Sequence, residues 1–475
     1  MTENSSAPPL FVDLDGTLIK TDLLMESALL LIRQAPWMIF AMIGWLLHGK
    51  AHLKARIAER VRLESDTLPL QNDFVDYLRE QAATGRKLYL ATASDISLAQ
   101  PVADRLGIFE GVLASDGERN LRSKTKLAAI EKITAEGPFD YAGNASADYA
   151  IWDKAREAIV VNPLPGVEHG ARKRTTVSRV FDDRPPLWRA WVKETRLYQW
   201  MKNLLIGVPL LTAHAFTTSS VLAVAQAFVA FGLVASATYM LNDLLDLASD
   251  RRHPRKCRRP FAAGNLSIVS GCIGMVIMLA SGLALAACLS TMFLLALLSY
   301  LVITLSYSLY FKTYVLIDVL LLASLYTVRI IAGGLAIEVD ISSWLLAFSM
   351  FTFLSLALVK RGSELVAMEK LERTGAKGRD YQLADTQTIS SMGIAAGYLA
   401  VLVLAFYVDS PAVSDHYSHS RLLWLLCPLM LYWVSRLWIK TSRGEMHDDP
   451  LIFSLRDRGS WGVFALMTLV TLIAI

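Results

Sequence analysis

From residue 196 onward the chain is a series of apolar runs of roughly 20 residues separated by short polar loops. A helix of that length matches the hydrocarbon core of a bilayer. In lipid every backbone N–H and C=O has to be satisfied within its own segment, which leaves few folds open. An all-α polytopic membrane bundle is therefore expected over 196–475. The runs fall near 203–216, 221–241, 268–289, 291–311, 315–337, 343–359, 389–408, 421–439 and 460–475, or about nine helices, the first and last short. A chain that is 54% hydrophobic, with mean hydropathy +0.39, lies well outside ordinary soluble proteins.

The loops between these runs alternate in charge. Basic loops follow helices two, four, six and eight, and uncharged or acidic ones follow helices one, three, five and seven. The positive-inside rule places the basic loops and the N-terminal domain in the cytosol, with the C-terminus on the outer side of the cytoplasmic membrane. The net charge of +4 is too small to suggest nucleic acid as a partner. The four cysteines (Cys257, Cys272, Cys288, Cys427) form no C-x-x-C pair, so neither a disulfide framework nor a zinc site is expected. The first ten residues carry no basic and no apolar region, so no cleavable signal is expected.

Residues 242–260 read N-D-L-L-D-L-A-S-D-R-R-H-P-R-K-C-R-R-P. Asp243, Asp246 and Asp250 are spaced by three and four, which on one helix stacks them on one face. Stacked carboxylates repel and need a cation between them, Mg²⁺ being the hard ion that oxygen ligands suit. Arg251, Arg252, Arg255, Lys256, Arg258 and Arg259 follow at once. An acidic helix end beside a basic loop has the polarity to hold a metal-bound diphosphate. Other polar residues gather at the same ends of the runs: Lys202 and Asn203, Asn242, Tyr307 and Lys312, Asp318, then Lys360 and Arg361. Arg329 lies three turns past Asp318 and shares its face.

Ahead of the apolar runs, P-L-F-V-D-L-D-G-T-L delivers Asp13 and Asp15 from a buried strand to a glycine turn. That is where an open α/β sheet places its site. Two more strands end at Thr92 and at Gly143-Asn144, with Lys124 and Lys126 between them and Asp148 after them. This order of motifs resembles the haloacid dehalogenase superfamily over residues 1–170, with a cap at about 20–80. The resemblance implies an α/β Rossmann-like phosphatase domain. In it Asp13 attacks a phosphate monoester, and Asp15 protonates the leaving alcohol and activates water. Thr92 and a lysine, preferably Lys126, hold the phosphoryl oxygens, and Mg²⁺ sits among Asp13, Asp15, Asn144 and Asp148. Asn144 departs from the family's usual aspartate. Within the cap, residues 35–49 are almost wholly apolar but too short to span, and cations flank them (Arg33, Lys50, Lys54, Arg56). They suit either a helix in the headgroup layer or a buried cap helix. Residues 171–195, basic and containing Pro185-Pro186, read as a linker on the membrane surface.

The region 196–475 resembles the UbiA superfamily of intramembrane prenyltransferases through N-D-x-x-D-x-x-x-D. Its D-R-R-H-P-R-K-C-R-R-P, Y-S-x-x-x-K-x-x-x-x-x-D, R-x-x-A-G-G and K-R-x-x-E-L are most similar to the branch typified by decaprenyl-phosphate phosphoribosyltransferase. Aromatic prenyltransferases share the first motif but usually lack H-P-x-K after it. The resemblance implies Mg²⁺ on Asp243, Asp246, Asp250 and Asp318, and phosphates held by Arg251, Arg259, Lys312, Arg329 and Lys360. His253 and Lys256 turn the expected donor from a prenyl to a sugar diphosphate. The substrates implied are phosphoribosyl pyrophosphate and a polyprenyl phosphate, in a setting of membrane lipids.

Overall fold

In the computed structural model the described residues are 7–116, 119–370, 380–410, 417–446 and 449–474. They divide into two compact units. One joins residues 1–195 to 239–275; the other joins 196–238 to 276–475.

The first unit is built on a six-stranded sheet: β1 (Leu10–Val12), β2 (Leu88–Asp95), β3 (Gly111–Ser115), β4 (Asp140–Gly143), β5 (Glu157–Val161) and β6 (Thr176–Phe181). All its pairings are parallel, in the order β3-β2-β1-β4-β5-β6. The order reverses between β1 and β4, and such a switch point opens a crevice at the strands' carboxyl ends. Asp13 follows β1 and Asn144 follows β4 there. β1 is buried on both faces, as a central parallel strand must be. Leu10 and Val12 enter one core and Phe11 the other, the period-two alternation of a strand.

The segment expected as a linker is therefore partly sheet. Thr176–Phe181 pairs with β5 as the edge strand, and its exposed positions, the charged Arg179 among them, suit an edge. The linker reading took the basic run around it for a segment on the membrane surface. Pro185 and Pro186 follow it.

Between β1 and β2 the cap region forms α1 (Leu23–Gln34), α2 (Met38–Leu47) and α3 (Lys50–Ala58). The Asp22 carboxylate accepts from the Met25 N–H and caps α1. α2 contains no fully buried residue. Met38, Met42 and Trp45 pack on Leu31 and Ile57, while Trp37, Phe40 and Leu47 are 69%, 76% and 84% exposed. Of the two expectations for this stretch, the exposed apolar face suits the headgroup layer.

Among the described residues, seven helices are long and apolar enough to cross a membrane. They run Thr218–Leu245, Ile268–Leu289, Thr291–Leu309, Ile317–Ala336, Ser343–Glu369, Leu383–Val408 and Ser420–Ser442. The two outer runs of the nine expected differ. Arg458–Ala474 is a shorter helix. The run at 203–216 is a 3₁₀ segment, Leu197–Gly207, followed by a five-residue helix with Pro209 in its first turn. At three residues per turn, Trp200, Asn203 and Ile206 eclipse one another, and Asn203 and Ile206 are almost fully buried. The core of this second unit lies among Ile317–Ala336, Ser343–Glu369, Thr386–Val408 and Leu426–Ser442. There the Trp438 indole donates to Ser355 Oγ, which donates to the Gly393 carbonyl.

Candidate functional site

At the sheet's switch point Asp13 and Asp15 form the centre of a dense polar cluster. Asp13 Oδ1 accepts from Lys126 Nζ at 2.8 Å and from the Leu14 N–H at 2.9 Å. Lys126 Nζ also lies 2.9 Å from the Tyr141 hydroxyl, which donates to Asp148 Oδ1 at 3.0 Å. The other Asp148 oxygen accepts from the Asn144 and Ala145 N–H groups. Asp15 accepts from Ser94 Oγ at 2.6 Å and from the Leu23 N–H at 2.8 Å, with Thr92 Oγ1 at 3.4 Å.

Burial, helped by the charge of Asp22, raises the Asp15 carboxyl to about 7. Burial and Asp13 likewise raise Asp148 to about 6. Burial alone would lower Lys126, yet Asp13 and Asp148 hold it above its ordinary value. The balance is a surplus of buried negative charge next to one fixed cation, and a dication would neutralise it. No group of three or more His, Cys, Asp or Glu among the described residues is arranged to hold a metal alone. Mg²⁺ commonly binds one or two carboxylates and completes its shell with substrate phosphate and water, and the donors at Asp13, Asn144 and Asp148 fit that habit.

Two participants here were not anticipated. Ser94 is one. The other is Lys54, expected among the headgroup cations, which instead turns inward and donates to the Ala93 carbonyl at 2.6 Å. Burial lowers it, and Asp15 and Asp22 attract it. A cation amid apolar neighbours signals an inward turn only once the fold is known.

The Asp-rich stretch belongs to the same unit and does not form one helix. Thr218–Leu245 ends just before Asp246, and a short helix restarts at Leu247 (Leu247–Arg252). The break sends the carboxylates to different partners. Asp243 and Asp250, both almost fully buried, converge on the Arg259 guanidinium at 2.9 and 2.5 Å. Asp246 is 3.4 Å from Arg33 of α1. The cation the stacked carboxylates required is thus present as an arginine. Burial still holds the Asp250 carboxyl above its ordinary value against Arg259. A carboxylate pair gathered in this way also fits Mg²⁺ with a diphosphate as co-ligand.

Other basic residues of this loop have fixed structural partners. Arg251 is held by the buried Glu26 carboxylate at 2.5 Å and by the Ala262 carbonyl, which removes it from the expected substrate ligands. His253 Nδ1 accepts from the Arg255 and Lys256 N–H groups and shapes the turn. Lys256 Nζ stands 3.9 Å from Asp250. Asn242 caps nothing with its side chain; its carbonyl accepts from Asp246 N.

In the second unit, Arg329 donates to Asn203 Oδ1 and to the Tyr300 hydroxyl, both at 3.1 Å, and lies over the Phe231 ring. Lys202 Nζ bonds Asp449 at 2.7 Å, the Tyr326 hydroxyl donates to the same carboxylate, and Lys360 is 3.9 Å away. Burial alone would raise Asp449; Lys202 and Lys360 overrule it and hold the carboxyl at about 2. Lys202, Arg329 and Lys360 against Asp449 leave a cationic cluster suited to phosphates. Asp449 belongs to the polar stretch R-G-E-M-H-D-D-P after the eighth run, and its partners Lys202 and Lys360, distant in sequence, single it out only in the fold; its neighbours His447 and Asp448, like the basic loop at 371–379, lie outside the described residues.

Asp318 does not act as expected. It is completely buried, and its oxygens accept from Arg361 Nε and the Tyr381 hydroxyl, each at 2.6 Å. Arg361 is bound in turn by Glu364 and the Tyr307 hydroxyl. A fully buried carboxylate already neutralised by Arg361 is closed to solvent, which favours a structural pair over a metal ligand. Lys312 lies in the one-turn helix Phe311–Thr313.

Gly333 explains the A-G-G of the arginine motif. A Cβ there would stand 2.1 Å from the Ile206 carbonyl oxygen, so only glycine lets the 3₁₀ segment bring Asn203 to Arg329. Gly333→Ala is expected to cost about 1–3 kcal/mol, read as a lower melting temperature in detergent. A variant melting with the wild type would show that the approach is not tight.

A family model described as the UbiA prenyltransferase family matches residues 204–454. The chain is 35% identical over 464 residues to the uncharacterized protein y4nM of Sinorhizobium fredii, covering 97% of this chain and 89% of that protein. Nodulation protein NoeC of Azorhizobium caulinodans is 33% identical over 266 residues, 56% of this chain and 86% of its own. Decaprenyl-phosphate phosphoribosyltransferase of Mycobacterium tuberculosis is 31% identical over 273 residues, 56% and 88% respectively.

Proposed function

The chain belongs to the UbiA prenyltransferase family, and from that premise we propose that it transfers phosphoribosyl from phosphoribosyl pyrophosphate to a polyprenyl phosphate, and that its N-terminal unit then removes the 5-phosphate from the lipid-linked product. Its family and its apolar helices make it an integral membrane transferase. The observation that carries the transfer is the convergence of Asp243 and Asp250 on a single cation. The kinship with a protein named decaprenyl-phosphate phosphoribosyltransferase supports a sugar diphosphate as donor.

In the transfer the bond from the sugar's anomeric carbon to diphosphate breaks, and a lipid phosphate oxygen bonds to that carbon. The acceptor is already an anion, so positioning and charge carry the rate rather than base catalysis. Bound Mg²⁺ would neutralise the departing diphosphate. Asp243 and Asp250 would hold it, and Arg259 is the guanidinium at hand for the phosphates. Lys202, Arg329 and Lys360 supply further fixed positive charge.

The N-terminal unit is read as a haloacid dehalogenase-type phosphatase. Asp13 attacks phosphorus, Lys126 and Thr92 hold the phosphoryl oxygens, and Asp15, raised to about 7, is poised to give a proton near neutral pH. The exposed apolar face of α2 lies in the headgroup layer and holds the unit at the lipid that bears its substrate. The charge alternation of the loops puts this unit on the cytosolic side of the cytoplasmic membrane.

Membranes carrying the protein, given labelled phosphoribosyl pyrophosphate, polyprenyl phosphate and Mg²⁺, should move label into the lipid fraction. Chelation with EDTA should reduce that transfer to background. Absence of lipid label with fresh substrates and Mg²⁺ would sink the reading.

A further inference from the structure

Beside the catalytic loop of the first unit is a cavity of about 430 Å³, within the range of small-molecule pockets and far more than a phosphate needs. Asp15 and Asn144 stand in its wall, and so do Gly264, Asn265, Ser267 and Ser270. These last four follow the Asp-rich loop and open the helix Ile268–Leu289, so one cavity is lined from both sequence regions.

The contact between the two regions is close and specific. Gly264 has φ +72°, and a Cβ on it would lie 2.4 Å from Lys20 Cβ and 2.9 Å from the Lys20 carbonyl. The loop thus rests directly on the chain leaving the catalytic turn. Behind it, the buried Arg251–Glu26 pair fastens the loop to α1, and Arg251 Nε also holds the Ala262 carbonyl.

One residue of the cavity wall also carries an orphan polar atom. Asn162 lines it, is 4% exposed, and its Oδ1 has no hydrogen-bond partner among the described residues. Its backbone is left-handed, φ +46°, which asparagine tolerates better than most side chains. A buried acceptor without a donor is rare in a folded chain, and a ligand hydroxyl would satisfy it.

We propose that Gly264–Ser270 completes the leaving-group pocket of the phosphatase site, and that this pocket takes a lipid-borne sugar phosphate with a free hydroxyl donating to Asn162. The inference rests on the phosphomonoesterase reading of Asp13 and Asp15. As the Asp13 oxygen bonds to phosphorus, the bond from phosphorus to the sugar oxygen breaks, and the Asp15 proton passes to that oxygen. The group that leaves therefore has to sit where Asp15 faces, and Asp15 faces this cavity. Met25, Leu187, Ile268 and Val269 give it an apolar flank for the chain the sugar carries.

The test uses the full chain in lipid nanodiscs with three substrates: p-nitrophenyl phosphate, ribose 5-phosphate, and a farnesyl-phosphoryl ribose 5-phosphate. Wild type should prefer the lipid-linked probe. Asn162→Gly, which keeps the left-handed backbone but removes the acceptor, should lower kcat/KM for both sugar phosphates at least tenfold relative to the aryl phosphate. Ser270→Trp, which fills the cavity, should do the same and most strongly for the lipid-linked probe. Turnover of the aryl phosphate reports that each variant is folded. Equal losses on all three substrates, or no loss, would overturn the composite pocket while leaving the phosphatase intact. A wild type as inert as Asp13→Asn toward every substrate would overturn the phosphatase reading itself, and this inference with it.

Discussion

An Asp13→Asn protein is expected to lose phosphomonoester hydrolysis by about 10⁴-fold or more while its membranes still label lipid from phosphoribosyl pyrophosphate. The reason is local. Asp13 Oδ1 is fixed by Lys126 Nζ and the Leu14 N–H, and an asparagine carbonyl can keep both bonds and the same volume. What it cannot do is attack phosphorus as an anion. The lipid product should then stop at its phosphorylated form, seen by mass spectrometry as an added phosphate. Equal amounts of that species in wild type and variant would show that the N-terminal unit does not act on the transferase product.

The converse variant, Asp243→Asn, should reduce transfer by at least about 10³-fold, or roughly 4 kcal/mol in the barrier, with hydrolysis of an aryl phosphate retained. Asp243 and Asp250 share Arg259. Removing one charge leaves Arg259 paired to Asp250 alone and halves the anionic donors available to a dication. Transfer measured across Mg²⁺ concentrations separates weaker ion binding, which excess Mg²⁺ would partly restore, from a lost catalytic role. Transfer at the wild-type rate at every concentration would remove Asp243 from the site.

Much of this was legible in the residues, and the exceptions have physical causes. The strands that lead to Asp13, Thr92 and Gly143 are short apolar runs reaching chemistry-bearing residues, and they form the sheet's centre, although the second runs on to Asp95. β6 escaped notice because an edge strand needs only one buried face, so its charges resembled a linker. The aspartate spacing indicated a shared cation, but not the break before Asp246 or the approach of Arg33 from α1 to that residue. Asp318 resembled a ligand because its partners Arg361 and Tyr381 lie 43 and 63 residues further along the chain. Lys54 and Asp449 gain their roles solely from tertiary neighbours, Ala93 and Asp15 for the one, Lys202 and Lys360 for the other.

The buried Glu26–Arg251 pair has one more consequence, for how such a chain can be divided. Glu26 lies near the start of the chain and Arg251 beyond the first membrane helix, and each is almost fully buried in the company of the other. Severing the chain at Pro185-Pro186 would give two pieces that look complete, a soluble enzyme and a membrane enzyme. Each would expose one half of an ion pair that is costly to leave unmatched, and the phosphatase-like piece would also lose the loop seated on Lys20. The natural cleavage line of the sequence is thus not a seam of the structure. On the proposed reading, a working phosphatase fragment would have to carry residues 239–275 as well.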